Sequence, residues 1–285
     1  MIIRLKGGIG NQLFQYAAAK RLAEINSDEL IVDSVSGFIA DTQYRREYSL
    51  GNFEISARLA TPSERLEPFS KFRRRLLRSI SAILPAQQRP YIYQRGCESN
   101  LELLTLRDPR DRYLEGYWQS EIYFKDTEAI IRKEFQIIPP IDHPNVQAYA
   151  TISGQDSVAL HLRWFSKKRF DDTDNLSLSY YKNATKVIEK SLRSPKYYVF
   201  SDDVAMAKSV VEKLSLTATY VDWNDSGKNA YADLWLFARC KHHIIANSTF
   251  SFWGAWLGEN AASIVISPQR GFQEAHTVPE RWVKI

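Results

Sequence analysis

Cysteine is almost missing from this chain of 285 residues: Cys97 and Cys240 stand far apart and outside any CxxC or Cys/His spacing. Neither a disulfide framework nor a zinc site is indicated, and a reducing compartment is the expectation. Long apolar runs are missing too. No stretch approaches the roughly 18 to 20 apolar residues of a spanning helix. The opening MIIRLKGGIG has neither an apolar leader core nor a cleavage pattern, so the expected location is cytoplasmic. There is no internal repeat and no low-complexity tract. A large excess of either charge is missing as well: 38 Lys and Arg oppose 33 Asp and Glu, a net excess of +5. That excess fits an anionic ligand or a membrane surface as well as nucleic acid. Nucleic acid is the weakest of these, because the aromatics fall in core-like positions rather than between basic residues.

Aromatic residues are what the chain has in quantity, 13% of the total within a hydrophobic fraction of 44%. This balance excludes long disorder and fibrous architectures. The length suits about two domains or one large α/β unit.

Residues 2 to 5 form a short apolar run, followed by Gly7-Gly8-Ile9-Gly10 and by Leu13, Phe14, Ala17, Ala18, Leu22 and Ile25 at helical spacing. Glu29 to Asp33 reads as a second strand. The pattern is a βαβ opening with glycines in its first βα turn, where open α/β sheets place ligands. A less regular stretch covers about 35 to 110, then a strand is expected at Tyr113 to Tyr117 and a helix at about 121 to 136. Pro139, Pro140 and Pro144 interrupt the chain, which places the domain boundary near 140 to 155. Beyond it, apolar runs at about 157–163, 197–201, 218–223, 242–246 and 263–267 alternate with helical patterns at about 179–192, 203–214, 230–240 and 250–260. Such alternation implies a parallel sheet covered by helices.

Several short segments carry chemistry. In Gly7-Gly8-Ile9-Gly10-Asn11-Gln12 the glycines at a helix start let backbone amides approach an anion, yet neither a P-loop Lys-Ser/Thr nor the third glycine of the dinucleotide fingerprint follows. A tight packing turn is the competing reading. His161 and Arg163 end the strand SVALHLR and point to the same side; a guanidinium there suits a diphosphate or a carboxylate partner. Of Asp202 and Asp203, at the next strand tip, one is expected to cap a helix and the other is available to a nucleotide. Asn247-Ser248-Thr249 lies at a helix start where hydroxyls and free amides can meet a phosphate, or Ser248 or Thr249 can serve as an ordinary N-cap with Phe250, Trp253 and Trp256 in the core. Asp172-Thr173-Asp174 has the DxD form of metal-dependent glycosyltransferases, but a chain with this much aspartate produces about one such match by chance. Lys71 to Arg78 reads KFRRRLLR and continues with Ile80, Ile83 and Leu84. It is either a basic amphipathic segment suited to an anionic bilayer or a solvated helix face.

Taken in order, GGIGNQLFQYAAAKRLA, YLEGYWQSEIYF, HLR, FSDD and DLWLFARCKHHIIANSTFSFWGAWL resemble the bacterial α-1,2-fucosyltransferases, glycosyltransferase family 11. The resemblance implies a GT-B-type α/β fold with two Rossmann-like domains and a cleft between them. The acceptor-side domain would span 1–148 and the GDP-sugar-binding domain 149–285. It implies GDP-fucose as donor, no metal or other cofactor, and inversion at the fucose anomeric carbon. Carried over by position, Arg163 meets the β-phosphate and acts in catalysis with His161. Asp202 holds the base or ribose, Asn247, Ser248 and Thr249 face the phosphates, and Gly8, Gly10 and Asn11 line the cleft from the other domain. The expected acceptor is a terminal galactose, at its 2-hydroxyl, on a bacterial surface glycan or its lipid-linked precursor, with peripheral contact at the inner membrane.

One departure stands out. The family reads His-x-Arg-Arg-Gly-Asp-Tyr, whereas Trp164-Phe165-Ser166 follows Arg163 here. Lys167, Lys168 and Arg169 are candidates to restore positive charge, and Asp171 or Asp172 the carboxylate. No catalytic base is identified; Asp33, Glu121, Asp171 and Asp172 qualify by type. The altered loop also motivates two rival readings, a GDP-sugar-binding protein with lost or altered catalysis and a transferase for another GDP-sugar.

Overall fold

The computed structural model describes residues 1–95, 100–107, 111–165, 175–224, 227–269 and 278–285. It divides into two compact units, the first from Met1 to Gln136 and the second built from Ile137–Phe272 and Val278–Ile285.

The first unit runs β1 (Ile2–Arg4), α1 (Ile9–Ile25), β2 (Ile31–Asp33), β3 (Arg58–Leu59), α2 (Ser70–Ile83), β4 (Tyr91–Tyr93), α3 (Glu102–Thr105), β5 (Tyr113–Glu115) and α4 (Glu128–Glu134). Its strands are parallel in the order β3-β2-β1-β5-β4, so the direction of winding reverses between β1 and β5. The apolar positions expected on one face of α1 are only part of its buried surface, because Tyr16, Ala19 and Ala23 are buried as well. A helix apolar nearly all round belongs in a core. The strand expected through Tyr117 stops at Glu115, since the Gln94 side-chain oxygen takes the Tyr117 and Trp118 amides at 2.6 and 2.9 Å and turns them away from the ladder. The expected helix over 121–136 is broken into 3-10 turns at Glu121–Tyr123 and Lys125–Thr127 before α4 begins.

The second unit runs α5 (His143–Ser153), β6 (Ser157–Leu162), α6 (Leu178–Ser191), β7 (Lys196–Ser201), α7 (Val204–Lys213), β8 (Ala218–Tyr220), α8 (Ala230–Arg239), β9 (His242–Ile244), α9 (Thr249–Gly258), β10 (Val265–Ser267) and β11 (Val283–Lys284). The strands are again all parallel, in the order β11-β10-β9-β6-β7-β8. The alternation expected from the sequence is therefore present, with α5 and β11 added. Both units are α/β with parallel sheets, as expected.

The division lies at Gln136/Ile137 rather than at the expected 148/149, which would cut α5. Pro144 does not interrupt structure there. It sits in the first turn of α5, where a missing N–H costs nothing, behind Asp142, whose carboxylate caps the Asn145 amide. The helix joins the second unit by its contacts: the Tyr149 and Trp235 rings lie 5.0 Å apart, and the Asn145 side-chain amide donates to Asn224 at 2.8 Å.

Helices α8 and α9 approach closely because Gly254 has no side chain. A Cβ on Gly254 would stand 2.3 Å from the Phe237 ring, far inside contact distance. Trp253 and Trp256 are wholly buried beside it, their rings edge-on at 5.2 Å, which settles them as core residues.

Candidate functional site

In the second sheet the winding reverses between β6 and β9. Ligands of open parallel sheets bind outside the strand carboxyl ends at such a point. The residues at that edge follow from register. His161 lies opposite Phe200 and Leu162 opposite Ser201, so the next residues, Arg163 and Asp202, leave the sheet side by side. Arg163 Nη1 sits 2.8 Å from Asp202 Oδ2, and Asp202 Oδ1 accepts the Trp164 amide at 3.1 Å. Asp203 is spent differently: it caps α7 by accepting the Met206 amide at 3.0 Å. One carboxylate caps and the other engages the arginine. Asp202 thus meets Arg163 and the Trp164 amide with both oxygens, and these contacts hold the guanidinium at the strand tip.

His161 is 5% exposed, with its ring 5.3 Å from Phe250 and edge-on to Phe237 at 6.1 Å. Burial, helped by the neighbouring Arg163 charge, pushes its pKa down to about 3. The imidazole is neutral at physiological pH and adds no charge to the site. Its Nδ1 is buried without a partner among the described residues.

Across the reversal point, β9 leads through Ala246 and Asn247 into α9. Ser248 is the N-cap residue in extended conformation, but its hydroxyl makes no capping bond. The nearby Ser251 hydroxyl accepts the Ala246 amide at 3.2 Å instead. The first intrahelical bond is Phe252 N–H to Ser248 C=O at 3.0 Å, so the amides ahead of it have no carbonyl partner within the helix. Asn247, Ser248, Thr249 and Phe250 are only half-buried. This edge therefore offers amides at the positive end of a helix dipole, two hydroxyls and a guanidinium, a set chemically suited to a phosphate.

Gly8, Gly10 and Asn11 belong to the first unit and form their own group at the start of α1. Gly7 takes φ +78°, a conformation that favours glycine, and Gly8 is the N-cap residue. Asn11 is half-buried and accepts a hydrogen bond from the Gln119 side chain at 2.8 Å. Gly10 is buried inside the first helical turn. Two wholly buried glutamines hold this turn. Gln15 exchanges hydrogen bonds with the Lys6 backbone, and Gln12 donates to Gly7 and Glu47 while accepting from Ser49. Sequence reasoning passed over them, although their spacing of three puts both on one helical face.

Among the candidate bases, Asp33 is wholly buried and saturated. It accepts from the Val35 and Ser36 amides at 3.1 and 2.9 Å, from the Ser36 hydroxyl at 2.5 Å and from the Tyr113 hydroxyl. Glu121 is buried in the 3-10 turn after Ser120. Asp171, Asp172, Lys167, Lys168 and Arg169 lie outside the described residues, as does Asp172-Thr173-Asp174. A further cluster, unsuspected from sequence, centres on Glu115 at the end of β5. Arg4 reaches it at 2.8 Å, Lys6 at 3.6 Å, and the Tyr91 hydroxyl donates to it. Despite burial, these partners hold its carboxyl below the usual range.

Residues 1–283 match the family described as Glycosyl transferase family 11. The chain is 26% identical to an alpha-1,2-colitosyltransferase of Escherichia coli over 301 aligned positions, covering 100% of this chain and 98% of the other. It is 28% identical to the O-antigen biosynthesis glycosyltransferase WbnK of Escherichia coli, covering 99% of each. Among solved structures, the NodZ alpha-1,6-fucosyltransferase soaked with GDP-fucose aligns with a TM-score of 0.52 at 15% identity, over 90% of this chain and 91% of that one. NodZ is a Bradyrhizobium protein. The shared fold is of GT-B type.

Proposed function

Since the chain belongs to glycosyl transferase family 11, we propose that it moves L-fucose from GDP-fucose to a hydroxyl of a bacterial surface glycan or its precursor, with the 2-hydroxyl of a terminal galactose as the favoured acceptor. The observation that carries this reading is that Arg163 follows β6 and the N-terminus of α9 follows β9, the two neighbouring strands between which the winding of the second sheet reverses. A solved relative in fold was soaked with GDP-fucose, and a relative in sequence is named for O-antigen biosynthesis; both support a GDP-sugar donor and a glycan acceptor.

In the proposed reaction the acceptor oxygen bonds to C1 as the bond from C1 to the β-phosphate oxygen breaks. Configuration inverts, GDP leaves with the electron pair of the broken bond, and the acceptor hydroxyl's proton passes to the departing diphosphate or to solvent. Negative charge grows on the β-phosphate in the transition state, and fixed donors aimed at it are the main source of rate. Arg163 supplies a planar fork, the α9 amides and the Ser248 and Thr249 hydroxyls supply the rest, and no metal is required. Asp202 is a positioning residue for Arg163, and neutral His161 packs against Phe250 beneath the strand tip. We place the protein on the cytoplasmic side, where nucleotide sugars are made.

A second reading has its own support. The similarity to a colitosyltransferase favours a donor carrying colitose, which is fucose without its 3-hydroxyl. Measuring donor hydrolysis and transfer with GDP-fucose, GDP-colitose, GDP-mannose and UDP-sugars decides between them, followed by a galactoside acceptor panel with the winning donor. Turnover of GDP-fucose in excess EDTA is the expected result. Preference for a UDP-sugar overturns the donor assignment, and tight GDP binding with no turnover of any donor identifies a protein without catalysis.

A further inference from the structure

The first unit contains a cavity of about 1070 Å³ whose wall carries, among the described residues, seven basic side chains and two carboxylates. Both carboxylates are already engaged, Glu115 by Arg4 at 2.8 Å and Glu102 by Arg89 at 2.7 Å. Four of the remaining cations, Lys71, Arg74, Arg75 and Arg78, lie on α2. Arg74 is 9% exposed, and its Nη1 is buried without a hydrogen-bond partner among the described residues. A buried guanidinium nitrogen without a partner is costly, and the surplus of positive charge among the described wall residues suits an anion. Arg78 lies over the Tyr93 ring at 3.5 Å, which holds it against the wall.

The same helix exposes an apolar stripe. Phe72, Leu76, Ile80 and Ile83 recur at helical spacing and remain 39% to 85% exposed, and Phe69, just ahead of the helix, is 77% exposed. Successive residues turn by about 100°, which sets Arg75 and Ser79 at the edge of the cavity-lining face nearest this stripe. An apolar face bordered by arginines is the pattern of a helix lying in a lipid interface, with acyl chains against one side and phosphates against the other. No helix among the described residues is long and apolar enough to cross a membrane.

We propose that α2 seats the first unit on an anionic lipid surface, its Phe72-Leu76-Ile80-Ile83 stripe in the acyl boundary and a lipid phosphate headgroup held by Arg74, Arg75 and Arg78. The inference does not rest on the donor assignment, because vesicle binding and sugar transfer are separate measurements and either can fail alone.

The test is partition of the full chain onto vesicles of phosphatidylcholine and onto an equimolar mixture with phosphatidylglycerol. Binding to the mixed vesicles only is expected. Leu76→Asp with Ile83→Asp abolishes it, and Arg75→Gln with Arg78→Gln weakens it about fivefold for each charge removed, while thermal unfolding and donor hydrolysis match the parent. Equal binding to both vesicle types, no binding to either, or unchanged binding of the variants overturns the proposal. So does a dimer lost in Leu76→Asp with vesicle binding intact, which assigns the stripe to a second copy. Stabilisation by inorganic diphosphate that Arg75→Gln with Arg78→Gln removes, without vesicle binding, assigns the cavity to a soluble phosphate.

Discussion

Arg163 Nη1 and Asp202 Oδ2 stand 2.8 Å apart at the tips of neighbouring parallel strands, and the second Asp202 oxygen ties down the Trp164 amide. The pair holds a guanidinium at the tip of β6, the strand that borders the strand-order reversal.

Replacing Arg163 by Lys keeps the charge and loses the fork. Turnover with saturating donor is expected to fall by about 10²- to 10³-fold. Asp202→Asn lowers kcat by less, since the arginine remains but loses its ionic partner, and GDP affinity changes little. Steady-state kinetics of both variants check this; near-parental turnover of Arg163→Lys removes it from the reaction.

Two buried imidazoles make stability pH-dependent. Burial lowers the pKa of both His161 and His243 to about 3. Because these lie below the unfolded value near 6.5, the unfolded chain binds the protons first. Stability is therefore whole above about pH 6.5 and is lost toward pH 3, at up to about 1.4 kcal/mol per pH unit for each residue. Asp233 opposes this: burial raises its pKa to about 7, so it favours the folded state as the pH falls from 7 toward 4. Urea denaturation at several pH values should show a flatter profile below pH 6.5 for His243→Asn and a steeper one for Asp233→Asn.

Gly254→Ala drives a methyl group into the Phe237 ring. A loss of about 1 to 3 kcal/mol is expected, as for other overpacked cores. Denaturant midpoints at constant m-value measure it, and an unchanged midpoint shows that the α8–α9 contact relaxes freely.

Asp33→Asn separates structure from chemistry. Its four donors make Asp33 a tie between β2, Ser36 and β5. The substitution is expected to cost about 1 to 3 kcal/mol of stability and to leave kcat per folded molecule and its pH profile unchanged. A lost acidic limb in that profile would instead make Asp33 the base.

Much of the architecture was legible because strand and helix leave different periods in a sequence. Apolar runs and helical spacing located β6 to β10 and α6 to α9, and a glycine turn before an apolar helix located α1. Pro144 misled the boundary because proline marks both a break and a first helical turn, and only the packing of Tyr149 on Trp235 chooses between them. Asp202 and Asp203 were recognisable as a pair with two tasks, but which does which depends on where the register places Arg163.

By itself the sequence determined two parallel α/β units, the polar strand ends at His161–Arg163 and Asn247–Thr249, and the amphipathic period of α2, because these are local properties of spacing and residue type. Tertiary structure alone decided which charges are met and which are not. It paired Arg163 with Asp202, buried His161 among aromatic rings, saturated Asp33, and left Arg74 desolvated beside a basic cavity. Those outcomes depend on contacts between segments far apart in the chain, where burial and partner geometry set the energy of a charge.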